Sequence, residues 1–271
     1  MQPVVLVTGA SSGIGRATAT CFAARGWRVA ATLRSPEKEM ELGRVPGVRC
    51  FRLDVDSEPS VHEAVAEVLS ALGRIDAVVN NAGFGAPGVF EAVDDWAIRR
   101  QFETNVFGLM RVTREVLPVL RRQGGGTLLQ VSSMAGRSAF PGYSLYHASK
   151  WAVEGFSESL AYELRPLNIR VRLIEPGNVK TGFYRRPPSG SPSPILSHYG
   201  GLPKRLEEVS DAAGQAGDPP ELIADTIFRA AVDRSWRLRY PVGRNSRLAM
   251  LLHTVLPTGV YAGLMRRRFR V

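Results

Sequence analysis

Cysteine is nearly absent: among 271 residues only Cys21 and Cys50 carry thiols, and neither lies in a CxxC or Cys/His ligand spacing. A disulfide framework and a metal site are therefore not expected, and both cysteines read as buried thiols in a reducing compartment. The opening Met1-Gln2-Pro3-Val4-Val5-Leu6-Val7-Thr8-Gly9 has no basic n-region and no cleavage site, and it runs straight into a strand and a glycine turn. That points to a cytoplasmic protein. No long apolar run is present either. The longest candidate, Leu248–Met265, is eighteen residues without a formal charge but contains His253, Thr254, Pro257, Thr258 and Gly259, so a bilayer crossing is not expected. Acidic residues are missing from one region altogether: Arg234–Val271 holds nine arginines and no Asp or Glu. The remaining 233 residues hold 26 basic and 25 acidic groups, so the net charge of +10 belongs to the tail and a phosphate-tracking nucleic-acid surface is not expected.

What is present is an ordinary globular composition, 44% hydrophobic and 22% charged, without internal repeats. The length suits one domain covering residues 1–271. Short apolar runs at 3–7, 28–33, 48–53, 75–79, 127–131 and 169–174 have the length of strands, and a further strand is expected near 236–240. Between them, apolar periodicity predicts helices up to about Arg25, over 57–72 with Ser57 as N-cap, and over about 94–122, 145–165 and 221–233. Strands alternating with helices at this spacing predict an α/β fold, a doubly wound parallel sheet with helices on both faces. Its ligands should bind at the carboxyl ends of the strands. From Gly182 to Pro220 the pattern dissolves into a segment holding seven of the eighteen prolines, with a short helical piece around Leu202–Val209. This segment is expected to be a substrate flap, and residues from about 241 to 271 a C-terminal extension.

Between the first strand and first helix stands Thr8-Gly9-Ala10-Ser11-Ser12-Gly13-Ile14-Gly15. Gly9 permits a tight turn, Gly13 lets backbone approach a phosphate, and Gly15 allows close helix–strand packing. The helix N-terminus then offers free N–H groups to a pyrophosphate. The spacing is GxxxGxG, and with Asn80-Asn81-Ala82-Gly83, Val131-Ser132-Ser133, Tyr146-His147-Ala148-Ser149-Lys150 and Pro176-Gly177…Thr181 it resembles the short-chain dehydrogenase/reductase family. The likeness extends across most of residues 1–181.

The resemblance implies a Rossmann-type oxidoreductase that moves a hydride between a nicotinamide and a carbonyl or alcohol carbon. Tyr146 and Lys150 are four residues apart and share one helix face. A tyrosine titrates at about 10, and a neighbouring lysine cation would stabilise its phenolate for general acid/base work. By the same resemblance Lys150 also holds the nicotinamide ribose, and Ser133, thirteen residues before Tyr146, orients the substrate carbonyl. Asn105 matches the fourth catalytic position, where it holds a water linking the lysine to solvent. The implied cofactor site comprises Gly9, Ser11, Ser12, Gly13, Ile14, Gly15, Arg34, Asp54, Val55, Asn81, Ala82, Gly83, Tyr146, Lys150, Pro176, Gly177, Val179 and Thr181. Ser133, Tyr143, Tyr146 and Phe183 are the candidate substrate contacts. Ser132 reads as a strand-end residue near the cofactor, and His147 as a packing or surface residue.

Cofactor choice has a local basis. An NAD-preferring site places a carboxylate after the second strand, where this chain has Leu33 followed by Arg34, with Glu37 nearby. A guanidinium pairs with phosphate through two hydrogen bonds, so NADP(H) is expected. Asp54 would face the adenine amino group. The run Ala31-Thr32-Leu33-Arg34, the flap and the tail resemble the hydroxysteroid and retinol dehydrogenase branch, which implies a bulky apolar steroid-, retinoid- or lipid-like substrate. Flap residues Phe183, Tyr184, Ile195, Leu196, Tyr199 and Leu202 would meet it. A 3-oxoacyl-thioester reductase and a non-catalytic NADP-binding sensor are the alternatives. Partners beyond the substrate would be further copies, as homodimer or homotetramer. The tail has two open readings: helices packed over the substrate entrance or a partner subunit, and an interfacial segment in peripheral contact with a membrane.

Overall fold

The computed structural model describes residues 2–85, 87–182 and 194–269. Its strands are β1 (Val4–Thr8), β2 (Arg28–Leu33), β3 (Val48–Arg52), β4 (Ala77–Asn80), β5 (Gly126–Val131), β6 (Ile169–Pro176) and β7 (Arg239–Val242). They form one parallel sheet in the order β3-β2-β1-β4-β5-β6-β7. Nine α-helices accompany them among the described residues: α1 (Gly13–Ala24), α2 (Glu58–Leu72), α3 (Asp95–Phe102), α4 (Leu109–Arg122), α5 (Ser144–Leu164), α6 (Leu202–Gln215), α7 (Pro220–Val232), α8 (Arg244–Val255) and α9 (Thr258–Phe269).

The strand period of two sorts side chains onto two faces. Val4 and Leu6 join a core with Val61, Val65 and Val68 of α2, Val112, Val116 and Leu120 of α4, and Leu160 and Leu164 of α5. Val5 and Val7 point the other way, to Ala19 and Phe22 of α1 and Ile223, Ile227 and Ala230 of α7. All five residues of β1 are buried, which is why Val4–Val7 are an unbroken apolar run and the Thr8 hydroxyl at its end is hydrogen-bonded. Ser57 caps α2, its hydroxyl accepting from Ser60 N at 3.4 Å.

Several boundaries differ from expectation, each for a visible reason. The helix expected over 94–122 is capped by Asp94 but passes through a π-helical stretch, Glu103–Gly108, between α3 and α4. β4 starts at Ala77 because both backbone polar groups of Ile75 are taken by the Gln123 amide. β7 starts at Arg239 because the carbonyls of Asp233, Ser235 and Arg237 turn towards the buried guanidinium of Arg172. In the proline-rich segment, α6 runs six residues past the expected end at Val209. Cys21 and Cys50 are free but partly exposed, not buried as expected.

Candidate active site

β1 leads to β2 on one side, whereas β4 returns to the other, so their carboxyl ends diverge. A cleft of about 670 Å³ opens there, at the switch point where ligands of such sheets bind. Thr8, buried just before the glycine turn, ties its base together. Its hydroxyl accepts from Asn81 N and Ala82 N, both at 3.0 Å, and donates to Val79 O at 3.3 Å. The Asn81 amide returns two bonds to Thr8 O and Gly9 O, at 2.9 and 3.2 Å. The glycine turn and the Asn81–Gly83 turn are thereby locked together.

The glycines divide the work. Gly13 has φ +52°, and a Cβ there would stand 3.1 Å from Thr181 Cγ2, inside the cleft. Gly15 stands behind the cleft: a Cβ would lie 2.2 Å from Gly9 O and 2.6 Å from Asn81 Nδ2. Its role is close packing of α1 on the turn. Gly9, Ser11, Ser12, Gly13 and Ile14 line the cleft, as do Asp54, Val55, Asn81, Ala82, Gly83, Pro176, Gly177, Val179 and Thr181. At the β2 end, Leu33 is buried, while Arg34 is exposed at the rim and forms no ion pair among the described residues. Glu37 is exposed; the carboxylate that is engaged here is Glu39, which accepts from Leu42 N at 2.9 Å and pairs with Arg16. The Leu42 N–H chiefly holds Glu39 below the usual carboxylate range.

At the other end, the first turns of α5 carry Tyr146 and Lys150, both buried, with Lys150 Nζ 5.7 Å from the Tyr146 ring centroid. Lys150 Nζ donates to Val131 O at 2.8 Å. Burial pushes its ammonium down to about 8, with the charge of Glu154 opposing the fall. Ser133 lies beside them, its hydroxyl accepting from Ala135 N at 3.1 Å and facing Pro176 O at 3.5 Å. Ser132 also lines the cleft, next to Glu154 below it.

Asn105 lies behind this group, buried in the π-helical stretch. Its amide bonds both backbone groups of Phe84, accepting at 3.0 Å and donating at 2.8 Å, and donates to Ser149 Oγ at 3.1 Å. None of these contacts reaches Lys150. Tyr143 lines the cleft and shares a 2.6 Å hydrogen bond with Ser210 of α6. His147 is a packing residue: Nε2 accepts from Phe140 N at 3.2 Å, which leaves Nδ1 to donate to Ala135 O at 2.8 Å. Burial lowers its pKa, so it is neutral at pH 7. Phe183 and Tyr184 lie outside the described residues.

Two features escaped the sequence reading. The outer wall of the cleft is apolar and comes from distant segments: Phe140, Leu206 and Val209 of α6, and Phe269 at the end of α9. Phe269 stacks on Phe140 with ring centroids 6.2 Å apart and planes within 3°. The second is a buried acid pair under the lysine. Glu154, one turn after Lys150, and Glu175, immediately before Pro176, both approach Arg239 Nε, at 3.3 and 3.6 Å. The one available signal was that Glu154 lies four residues after Lys150, hence on the same inward face.

A glycine-turn cradle at the switch point of a parallel sheet, with a tyrosine and a buried lysine at its far end, defines a nicotinamide-dinucleotide oxidoreductase. The family model for short chain dehydrogenases matches residues 3–189, and the chain belongs to that family. It is 37% identical to the uncharacterized oxidoreductase YusZ of Bacillus subtilis over 278 residues, covering 98% of both chains. Identity to a 3-ketodihydrosphingosine reductase of Bacteroides thetaiotaomicron is 40% over 184 residues, 68% of this chain and 66% of that one. Among solved structures, a short-chain dehydrogenase from Streptomyces avermitilis superposes with a TM-score of 0.83 at 32% identity, over 99% of this chain and 96% of that one. One from Burkholderia phymatum, solved with NAD, gives 0.78 at 26% identity, over 88% of each chain. ElxO, solved with NADP, gives 0.73 at 25%, over 88% of this chain and 95% of that one. The protein is thus an oxidoreductase of short-chain dehydrogenase type that binds NAD(P).

Proposed function

We propose that this protein reduces the ketone of a long-chain or polycyclic apolar substrate with NADPH, Tyr146 delivering the proton to the carbonyl oxygen. The observation that carries this reading is the division of the cleft. Tyr146, Lys150 and Ser133 form its polar inner end, and Phe140, Leu206, Val209 and Phe269 its apolar outer wall.

The cradle fits a dinucleotide, since Gly13, at φ +52°, presents bare backbone to the cleft where a Cβ would press on Thr181 Cγ2. Ser11, Ser12 and Gly13 would hold the pyrophosphate at the start of α1, and Asp54 and Val55 the adenine end. Leu33 brings no carboxylate to repel a 2′-phosphate, and Arg34 at the rim would bind it. The bound nicotinamide supplies the hydride. Ser133 donates a hydrogen bond to the substrate carbonyl and polarises it. The Tyr146 hydroxyl donates a second and gives up its proton as the oxygen becomes an alcohol. Lys150, with a pKa of about 8, is mostly cationic at pH 7 and stabilises the resulting phenolate. Asn105 holds Phe84 and Ser149 in place behind the lysine. The bound cofactor of ElxO supports the choice of NADP, and the name of the Bacteroides relative supports a sphingoid-like ketone.

The test is a cofactor-absorbance screen over long-chain 3-ketones, 3-ketosteroids, retinal and short 3-oxoacyl thioesters, each with NADPH and NADH. NADPH oxidation by the long-chain or steroid ketones, with little by the short thioesters, is expected. Turnover confined to short thioesters, or equal use of NADH, would contradict the reading.

A further inference from the structure

The inner sides of α8 and α9 are accounted for. Met250 and Phe269 are buried, Ser246 Oγ donates to Glu175 O at 2.8 Å, and Tyr261 reaches Ala139 O at 3.5 Å. The rings of His253 and Tyr261 meet edge-on at 4.8 Å, joining the two helices. On their outer sides Arg247 Nε donates to Pro241 O at 3.4 Å, while the large apolar side chains stay exposed. Leu248, Leu251 and Val255 recur at helical spacing along α8, followed by Val260 and Leu264 on α9, and they are between 43% (Leu264) and 68% (Val255) exposed. Scattered exposed leucines are ordinary, but five large apolar side chains on one helix pair form a patch of the kind that marks an interaction surface.

The charges carried by the two helices themselves are of one sign. Arg247, Arg266, Arg267 and Arg268 are exposed, and no acidic residue lies between Arg234 and Val271. The rest of the chain is nearly balanced, with 26 basic and 25 acidic groups. A second copy packed with its own α8 and α9 against this pair would bring more arginines and, from those helices, no carboxylate to meet them. A nucleic acid would take the arginines and leave the leucines and valines in water. An anionic phospholipid surface takes both: the apolar stripe enters the acyl boundary while guanidinium groups pair with phosphates. Neither helix exceeds twelve residues, and no described helix is long and apolar enough to cross a membrane, so the contact is peripheral.

We propose that the outer face of α8 and α9 docks this protein onto anionic membrane surfaces, through Leu248, Leu251, Val255, Val260 and Leu264 together with Arg247 and Arg266–Arg268. The inference stands apart from the catalytic reading, since it uses no residue of the polar end of the cleft. Because α9 ends at Phe269 in the cleft wall, docking on this face would bring the cleft's apolar side near the lipid.

The test is co-sedimentation of the full chain with vesicles of phosphatidylcholine alone and of phosphatidylcholine mixed with phosphatidylglycerol. Binding to the mixed vesicles is expected at about 0.01 M salt and should largely disappear at about 1 M, as the screening length falls from about 30 to about 3 Å. The R266Q/R267Q/R268Q variant should partition on the order of a hundredfold less strongly, about fivefold per charge. The L251S/V255S/L264S variant, with its charges intact, should also bind much less. All six side chains are exposed, so both variants should unfold at the wild-type temperature. An intact protein that ignores the mixed vesicles at low salt would overturn the proposal. So would a serine variant that binds as wild type does, since the face would then be a plain polyanion site. A serine variant that changes the protein's oligomeric state while the wild type ignores vesicles would also overturn it, by making the face a subunit contact.

Discussion

Replacing Glu175 by glutamine tests the electrostatics beneath the cleft. Glu175 is fully buried, and burial, followed by the charge of Glu154, pushes its carboxyl up from 4.5 to about 7. Arg137 at 3.9 Å and Arg239 at 3.6 Å oppose the rise without cancelling it. Burial also raises Glu154, so the pair resists carrying two charges at neutral pH. A folded-state pKa above the unfolded value means that the native state binds this proton more tightly. The associated stability is present below about pH 4.5 and is lost as pH rises through about 7. A rise from 4.5 to about 7 corresponds to about 3 kcal/mol. Glutamine is nearly isosteric with glutamate and cannot ionise. Between pH 5 and pH 8 the Glu175→Gln variant should therefore gain about 2–3 kcal/mol relative to wild type, most of that total. Urea unfolding of both proteins at the two pH values measures the gap. An identical gap at both would mean that Glu175 is ionised throughout and that its burial does not hold the proton.

Gly15→Ala should destabilise the fold by about 1–3 kcal/mol or more, because its Cβ has no space against Gly9 O; a thermal melt measures this. An unchanged midpoint would mean that α1 can retreat from the turn. Arg34→Ala should weaken NADPH binding by about 1.5–3 kcal/mol and leave NADH nearly unaffected, as read by cofactor fluorescence titration. Equal loss of both would make Arg34 structural. Phe269→Ala should open the apolar wall and shift preference towards bulkier ketones, with kcat/KM for the best wild-type substrate falling about 10–200-fold. An unaltered substrate profile would exclude the α9 end from the substrate site.

What was legible in the sequence follows the strength of local signals. The buried strands announced themselves because a strand covered on both faces, as β1 is, is apolar along most of its length. The glycine turn was legible because the tight approach to Asn81 admits no side chain at Gly15. Tyr146 and Lys150 were legible because four residues on a helix is one turn. What sequence could not reveal depends on contacts across long separations. Phe269 meets Phe140 from 129 residues away, and nothing local marks either as part of one wall. Glu154 and Glu175 look like ordinary acidic residues, and only the fold brings them to a shared arginine. β7 starts at Arg239, not near 236, because Trp236-Arg237-Leu238 continue its alternating chemistry while the carbonyls of Asp233, Ser235 and Arg237 are claimed by Arg172 from β6. The π-helical stretch around Asn105 is invisible to a 3.6-residue period.

The central claim is that Tyr146 transfers the proton, and single-turnover NADPH oxidation by a long-chain 3-ketone, in wild type and Tyr146→Phe, tests it most directly. The substitution removes one oxygen from a buried ring and leaves its packing against Tyr143 in place. The variant should fold, bind NADPH as tightly as wild type, and turn over about 10²–10⁴-fold more slowly. A variant that keeps both binding and near-normal turnover would contradict the account.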